Sequence, residues 1–282
     1  MIVDSHCHIL PPSFAKRREE LATKDATFAE ILASPSTRIA DAPQLLEAME
    51  RDGVDRAVVM GMGWSDYDVA VEANDYIIEA VRANPCRLTG FASVNPDWGD
   101  AAVAEAKRCA KAGLRGIGEI HPDTQDVDIT DLATMAPVMD LARELSLPVL
   151  VHCSEPAGHL YPGKGVTTPD RIWRFIRNFP DNVIICAHWG GGLPFYSLMP
   201  EVSAALSNVY FDSAASPFLY RPEVYPTVAS LVGAERILFA TDFPLMSPSR
   251  PLAEVAGLPL AEQDRRLILG ENGARLFGFE EL

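Results

Sequence analysis

Long hydrophobic runs are missing from this 282-residue chain. No stretch approaches the roughly 18 consecutive apolar residues that a membrane-crossing helix needs, so no membrane partnership is expected. Basic clusters are missing too. Lys16-Arg17-Arg18 is followed at once by Glu19-Glu20, and 24 Lys and Arg face 39 Asp and Glu, a formal net charge of −15. A field of that sign repels phosphate backbones, and nucleic acid is disfavoured as a partner. The five cysteines are odd in number, show no framework spacing, and belong to a chain large enough to need no staples. Met1 runs straight into the strand-like Ile2-Val3-Asp4 without a charged and then apolar leader. A reducing, cytoplasmic location is the expectation.

What is present is a globular composition, 48% hydrophobic and 22% charged, in which strand and helix patterns alternate. Strand-like runs stand at 2–8, 54–60, 88–94, 114–120, 149–152, 183–187, 209–212 and 236–241. Between them lie helical patterns: 43–53, opened by Pro43 and closed by Gly53; 65–81, with Ser65 and Asp68 as a capping box; then 97–112, 137–145, 169–178, 222–232 and a final set after Leu260. The stretch from Pro11 to Ala42 reads as a long irregular loop of the kind that serves as a lid or binding loop. Strands such as Ala57-Val58-Val59-Met60 and Val149-Leu150-Val151 are apolar throughout and demand a sheet covered on both faces. Eight such units fit an α/β fold of the (β/α)8 TIM barrel type, a single domain over 1–282 with a long loop after strand 1.

In such barrels the reactive residues gather at the carboxyl ends of the strands. Five of the six histidines fall there: His6 and His8 end strand 1, His121 ends strand 4, His152 ends strand 5 and His188 follows strand 6. Asp242 ends strand 8. His6 and His8 share one strand face while Cys7 turns away, and two imidazoles so spaced can converge on one metal ion. Glu119, at the end of strand 4, is either a metal ligand or the partner of a buried basic group. His121 has the same parity and either faces the pocket or supports a ligand. Trp64 and Tyr67 after strand 2, His159 in the glycine-rich loop after strand 5, and Arg221 and Arg250 beyond strands 7 and 8 are candidates to touch a substrate. An arginine there could clamp a carboxylate. Cys153 and Cys186 read as small buried hydrophobes.

Val3-Asp4-Ser5-His6-Cys7-His8 resembles the opening of the amidohydrolase superfamily. His188-Trp189-Gly190-Gly191, Ala240-Thr241-Asp242-Phe243-Pro244 and Asn272-Gly273-Ala274-Arg275-Leu276-Phe277-Gly278 resemble its amidohydrolase-related (amidohydrolase 2) branch. The resemblance spans nearly the whole chain and names no substrate. It implies a divalent metal, zinc or else manganese, as one or two ions, held by His6, His8, His152 and Asp242. His188 would act on the substrate in a one-ion site or bind the second ion in a two-ion site, and Glu119 would be the bridging carboxylate. A small-molecule substrate is implied, and homo-oligomerisation is left open.

The chemistry expected first is hydrolysis of an amide, lactone or ester. The ion would acidify a water, Asp242 would take its proton, and His188 would hydrogen-bond the oxygen that gains charge. The second expectation is metal-dependent decarboxylation of an aromatic or unsaturated carboxylic acid. A non-catalytic binding protein comes last. Glu119 is expected to separate the first two, a bridging carboxylate favouring hydrolysis and a Glu119 turned away leaving decarboxylation open.

Overall fold

A computed structural model describes residues 1–279. Eight parallel strands follow one another in chain order through one sheet. They are β1 (Val3–His8), β2 (Arg56–Met60), β3 (Leu88–Ala92), β4 (Gly116–Ile120), β5 (Val149–Val151), β6 (Ile184–Cys186), β7 (Val209–Asp212) and β8 (Ile237–Leu238). The chain after β8 returns to β1: Ser5 donates its N–H to Phe239 O at 2.8 Å, and Asp242 donates to His6 O at 3.0 Å. This is the expected (β/α)8 barrel, with helices outside the strands. Among the described residues no helix is long and apolar enough to cross a membrane.

The barrel interior is filled by Val3, Val58, Phe91, Leu150, Ile185 and Leu238, all buried. Fully burying a side chain of this size contributes about 1.5–3 kcal/mol. Phe91 fits because β4 begins with glycine; a Cβ on Gly116 would come within 2.3 Å of its ring. Outside, Ala42–Asp52 shows how a covering helix is specified. Asp41 and Gln44 exchange side-chain-to-backbone hydrogen bonds in a capping box, Leu45, Ala48 and Met49 make the buried stripe, and Gly53 ends it at φ 75°.

Two strands carry an irregularity that positions the site. Four residues of β1 (from Asp4 to Cys7) oppose three of β2 (Ala57 to Val59), and four of β4 (from Ile117 to Ile120) oppose three of β5 (Val149 to Val151). Each extra residue flips the parity of the residues after it. Val3 faces the interior before the β1 bulge, and His6 and His8 face it afterwards. In β4, Ile117 packs against the helices, yet Glu119, two residues on, points inward.

Several local expectations are corrected. The stretch from Pro11 to Ala42 is not an irregular loop. It folds into helices Pro12–Lys16 and Arg18–Lys24 and a π-helical turn Phe28–Leu32, whose Phe14, Leu21, Phe28 and Leu32 form a cluster of their own. Trp64 belongs to that cluster: it is fully buried, edge-on to Phe14 at 5.8 Å and stacked on Phe28 at 6.3 Å, and does not line the mouth of the barrel. The next helix (Tyr67–Ala83) is capped by Asp66 rather than Ser65, because Asp25 accepts the Ser65 N–H and hydroxyl. The helix expected at 137–145 spans Leu132–Glu144, with Pro137 inside it.

Candidate metal centre

At the carboxyl ends of the strands, His6, His8 and Glu119 bring one ligand atom each to within 4.8 Å of one another, and so do Glu119, His152 and His188. Glu119 divides its two oxygens between the groups. Oε2 lies 3.6 Å from His6 Nε2 and 3.7 Å from His8 Nε2, while Oε1 lies 2.9 Å from His152 Nδ1 and 3.9 Å from His188 Nε2. Asp242 joins the first group, with Oδ1 3.1 Å from His8 Nε2 and 4.0 Å from His6 Nε2. All of these are buried save Asp242, which is partly exposed.

The partners behind these rings decide what they offer. His6 Nδ1 pairs with Asp212 Oδ2 at 2.9 Å, His8 Nδ1 with Gly61 O at 2.9 Å, and His188 Nδ1 with Ala214 O at 3.0 Å. Each acceptor places the ring proton on Nδ1 and leaves a lone pair on Nε2, directed at the cluster. Two such lone pairs meet where the Nε2 atoms of His6 and His8 lie 3.1 Å apart. That approach is unfavourable unless a cation or proton lies between them. The donor set therefore fits a divalent ion: imidazole nitrogens with carboxylates, each of these three nitrogens oriented from behind.

Asp212, the last residue of β7, was not singled out by sequence. Besides holding His6 it accepts the backbone N–H of His188 at 2.9 Å and of Ala214 at 3.0 Å. Its position at a strand's carboxyl end was the signal available. Asp4 plays the matching part for Asp242: it accepts both the N–H and the hydroxyl of Thr241, at 3.0 and 2.6 Å. His188 and Asp242 sit at φ 55° and 63°, left-handed conformations that side chains other than glycine seldom adopt.

The electrostatics follow from crowding. Burial alone would raise the Glu119 carboxyl, but hydrogen bonds and charge from His152 and His6 hold it well below the usual carboxylate range. Asp242, pushed up by burial, is brought down to about 2 by His8 first and then by His6 and His188. Burial opposes charge on His6 and His188, yet the carboxylates around them raise both. His121 goes the other way, to about 3, through burial and the neighbouring His152.

Above the cluster opens a cavity of about 550 Å3 with apolar walls that include Leu10, Ile39, Met62, Phe218 and Leu245. His159 lines it, as does His121. Arg38, which sequence reasoning missed, is the one Arg or Lys among its lining residues. Its guanidinium lies 5.1 Å from the Phe243 ring, and among the described residues it forms no ion pair. Nothing marked it, since it stands outside any motif in the segment read as loop. Arg250 does not reach the cavity. It is engaged with Glu254 at 3.6 Å, Pro217 O at 3.1 Å and the Phe218 ring, so the structure gives no direct carboxylate clamp there. Tyr67 packs on Trp98 instead of lining the cavity.

A barrel whose strand ends present oriented imidazoles and carboxylates defines a class, and the sequence profile of the amidohydrolase family matches residues 3–279: the chain belongs to that family. Among curated relatives, the 2-amino-3-carboxymuconate-6-semialdehyde decarboxylase of Dictyostelium discoideum is 22% identical over 336 aligned positions, covering 99% of this chain and 92% of the relative. The gamma-resorcylate decarboxylase of Polaromonas sp. is 24% identical over 251 positions, 74% of this chain and 76% of the relative. Among solved structures, the 5-carboxyvanillate decarboxylase of Novosphingobium aromaticivorans superposes with a TM-score of 0.79 at 18% identity, over 99% of this chain and 96% of that one. It was crystallised with manganese and 4-hydroxy-3-methoxy-5-nitrobenzoic acid.

These relatives overturn the first functional expectation. Hydrolysis of an amide, lactone or ester was put ahead of decarboxylation, and the curated relatives named above are decarboxylases. The feature meant to separate the two, Glu119, does point into the cluster.

Proposed function

We propose that this chain is a metal-dependent decarboxylase of a small aromatic or unsaturated carboxylic acid. The observation that carries the proposal is the cavity: apolar walls of a size to hold one ring, a floor of convergent nitrogen lone pairs, and a single unpaired guanidinium, Arg38. A planar acid is the ligand that such walls and one cation complement.

The metal ligands we assign are His6, His8 and Asp242 around one oxygen of Glu119, and His152 and His188 around the other. Zinc and manganese both suit nitrogen and carboxylate donors. A divalent ion bound there would supply Lewis acidity and a fixed anchor for the substrate's carboxylate. The split of the Glu119 oxygens between two trios supports two ions per chain, because an anionic bridge offsets the repulsion between neighbouring cations.

The rest is assigned to the protein's own groups. Arg38 holds an anionic oxygen of the substrate, and His159 touches it at the rim. The apolar walls strip water from the carboxylate, which favours departure of neutral carbon dioxide. As the carbon–carbon bond breaks, its electron pair stays on the carbon that bore the carboxylate, and that carbon takes one proton. Asp242, the partly exposed carboxylate of the cluster, is the group assigned to hold and deliver it, with His188 in that role when only one ion is bound. A panel of hydroxylated aromatic and unsaturated acids, offered to metal-loaded protein with carbon dioxide release followed, tests the reading. Release from at least one acid is expected, and none from any of them at full metal content would reject it.

A further inference from the structure

His121 stands apart from the other histidines on the cavity floor. His6, His8 and His188 each give Nδ1 an acceptor, whereas neither nitrogen of His121 has a hydrogen-bond partner among the described residues. The residue is 1% exposed, and it lines the cavity. An imidazole buried this way pays a desolvation penalty that an apolar ring would not.

Packing does not explain the choice of residue. The His121 N–H donates to Gln125 Oε1 at 2.9 Å, and Gln125 Nε2 in turn donates to Trp64 O and Val94 O at 2.9 and 3.1 Å. The ring stacks on His152 with centroids 4.0 Å apart and planes 16° from parallel. A phenylalanine would keep that stack. Nε2 is covered by Gly163, where a Cβ would sit 3.3 Å away. Gly163 lines the same cavity as Tyr161 and Pro162, and its missing side chain leaves space beside the nitrogen that any larger residue would crowd.

We propose that His121 is a specificity-determining residue whose Nε2 hydrogen-bonds a hydroxyl on the substrate, at a position separate from the carboxylate that is lost. No bond is made or broken there. The hydroxyl supplies the partner the chain lacks, and an acid without it leaves the nitrogen unpaired, which is how a buried polar site rejects an analogue. The proposal rests on the decarboxylase reading above.

The test measures binding of benzoate and of 2-, 3- and 4-hydroxybenzoate to the manganese-loaded chain by calorimetry, with metal counted in the same samples. Wild type should bind at least one hydroxybenzoate about tenfold more tightly than benzoate. In His121→Phe that preference should vanish, with benzoate affinity and metal content unchanged and a melting temperature no lower than wild type. His121→Leu serves as a second variant with the same expectation for the preference. A preference that survives either substitution overturns the proposal and leaves a buried water as the ring's partner. Equal binding of all four acids by wild type overturns it too, and loss of metal from His121→Phe would assign the ring to positioning His152 instead. If metal-replete wild type binds none of the four acids, the proposal falls, while the decarboxylase reading is decided separately by carbon dioxide release from the wider panel.

Discussion

The filling of the barrel and the cluster at its strand ends are built by the same strands on opposite terms. In the filling, Val58, Phe91, Leu150, Ile185 and Leu238 are buried and apolar, and Phe91 meets Phe277 edge-on at 5.8 Å. All the contacts they need come from the chain. In the cluster, His6 and His8 turn lone pairs on one another at 3.1 Å, His152 Nε2 has no partner among the described residues, and two residues hold left-handed backbone. The filling is complete without a ligand and the cluster is not. Stability should therefore follow the first and activity the second, and the two should come apart under mutation.

The largest effect is expected at the cluster. Asp242→Asn keeps an oxygen that can bind metal but loses the charge and the basic site. Turnover should fall by about 10²–10⁴-fold, the usual worth of a positioned acid–base group, while the melting temperature stays close to wild type. Steady-state rates with calorimetry check both halves. Phe91→Ala is the converse. Removing a fully buried ring should cost about 3–5 kcal/mol in denaturant unfolding, with metal content per folded chain unchanged. A loss of metal in this variant would tie the two regions together and break the distinction.

Asp212 lies between them, since it touches no substrate yet orients His6 and the His188 backbone. An amide offers one acceptor oxygen where the carboxylate offers two. Asp212→Asn should weaken metal binding by about 10–100-fold, read by competition with a chromophoric chelator.

The smallest effect belongs to the helical layer. Glu105 is buried, and burial would raise its carboxyl, but hydrogen bonds from Arg108 and Asn74 bring it below its ordinary value. A depressed carboxyl contributes stability that is full above its unfolded pKa and is lost as pH falls through the lower folded value. The stability gap between wild type and Glu105→Gln should be constant near neutral pH and narrow in acid below about 4.5, in urea titrations at each pH. A gap that widens in acid would show the wrong sign.

Much of this was legible in the sequence. The alternation of apolar strands and amphipathic helices is a periodic signal, and it specifies the barrel. Histidines at strand ends disclose the cluster, because His6, His8, His152 and Asp242 mark the carboxyl ends where a barrel gathers its chemistry. What escaped was set by tertiary geometry. The β1 and β4 bulges decide that His6 and Glu119 face inward, and strict alternation from Val3 or Ile117 would turn each outward. Trp64 follows a strand like a mouth residue but is claimed by Phe14 and Phe28, which come from a segment too irregular in pattern to read as helix. Arg38 comes from that same segment and reaches the cavity only because it folds over the strand ends. The reaction class escaped for another reason. A ligand set that can polarise a water can also anchor a carboxylate, so the residues alone do not choose between them.

The central claim joins metal occupancy to loss of a carboxylate, and one titration tests it most directly. Chelator-stripped protein, supplied with an acid that the panel shows to be turned over, is titrated with manganese while carbon dioxide release and bound metal per chain are followed together. Release should be absent at the start and rise with occupancy, reaching its plateau when the sites fill. Release at full rate from the metal-free chain would contradict the account, as would none at full occupancy.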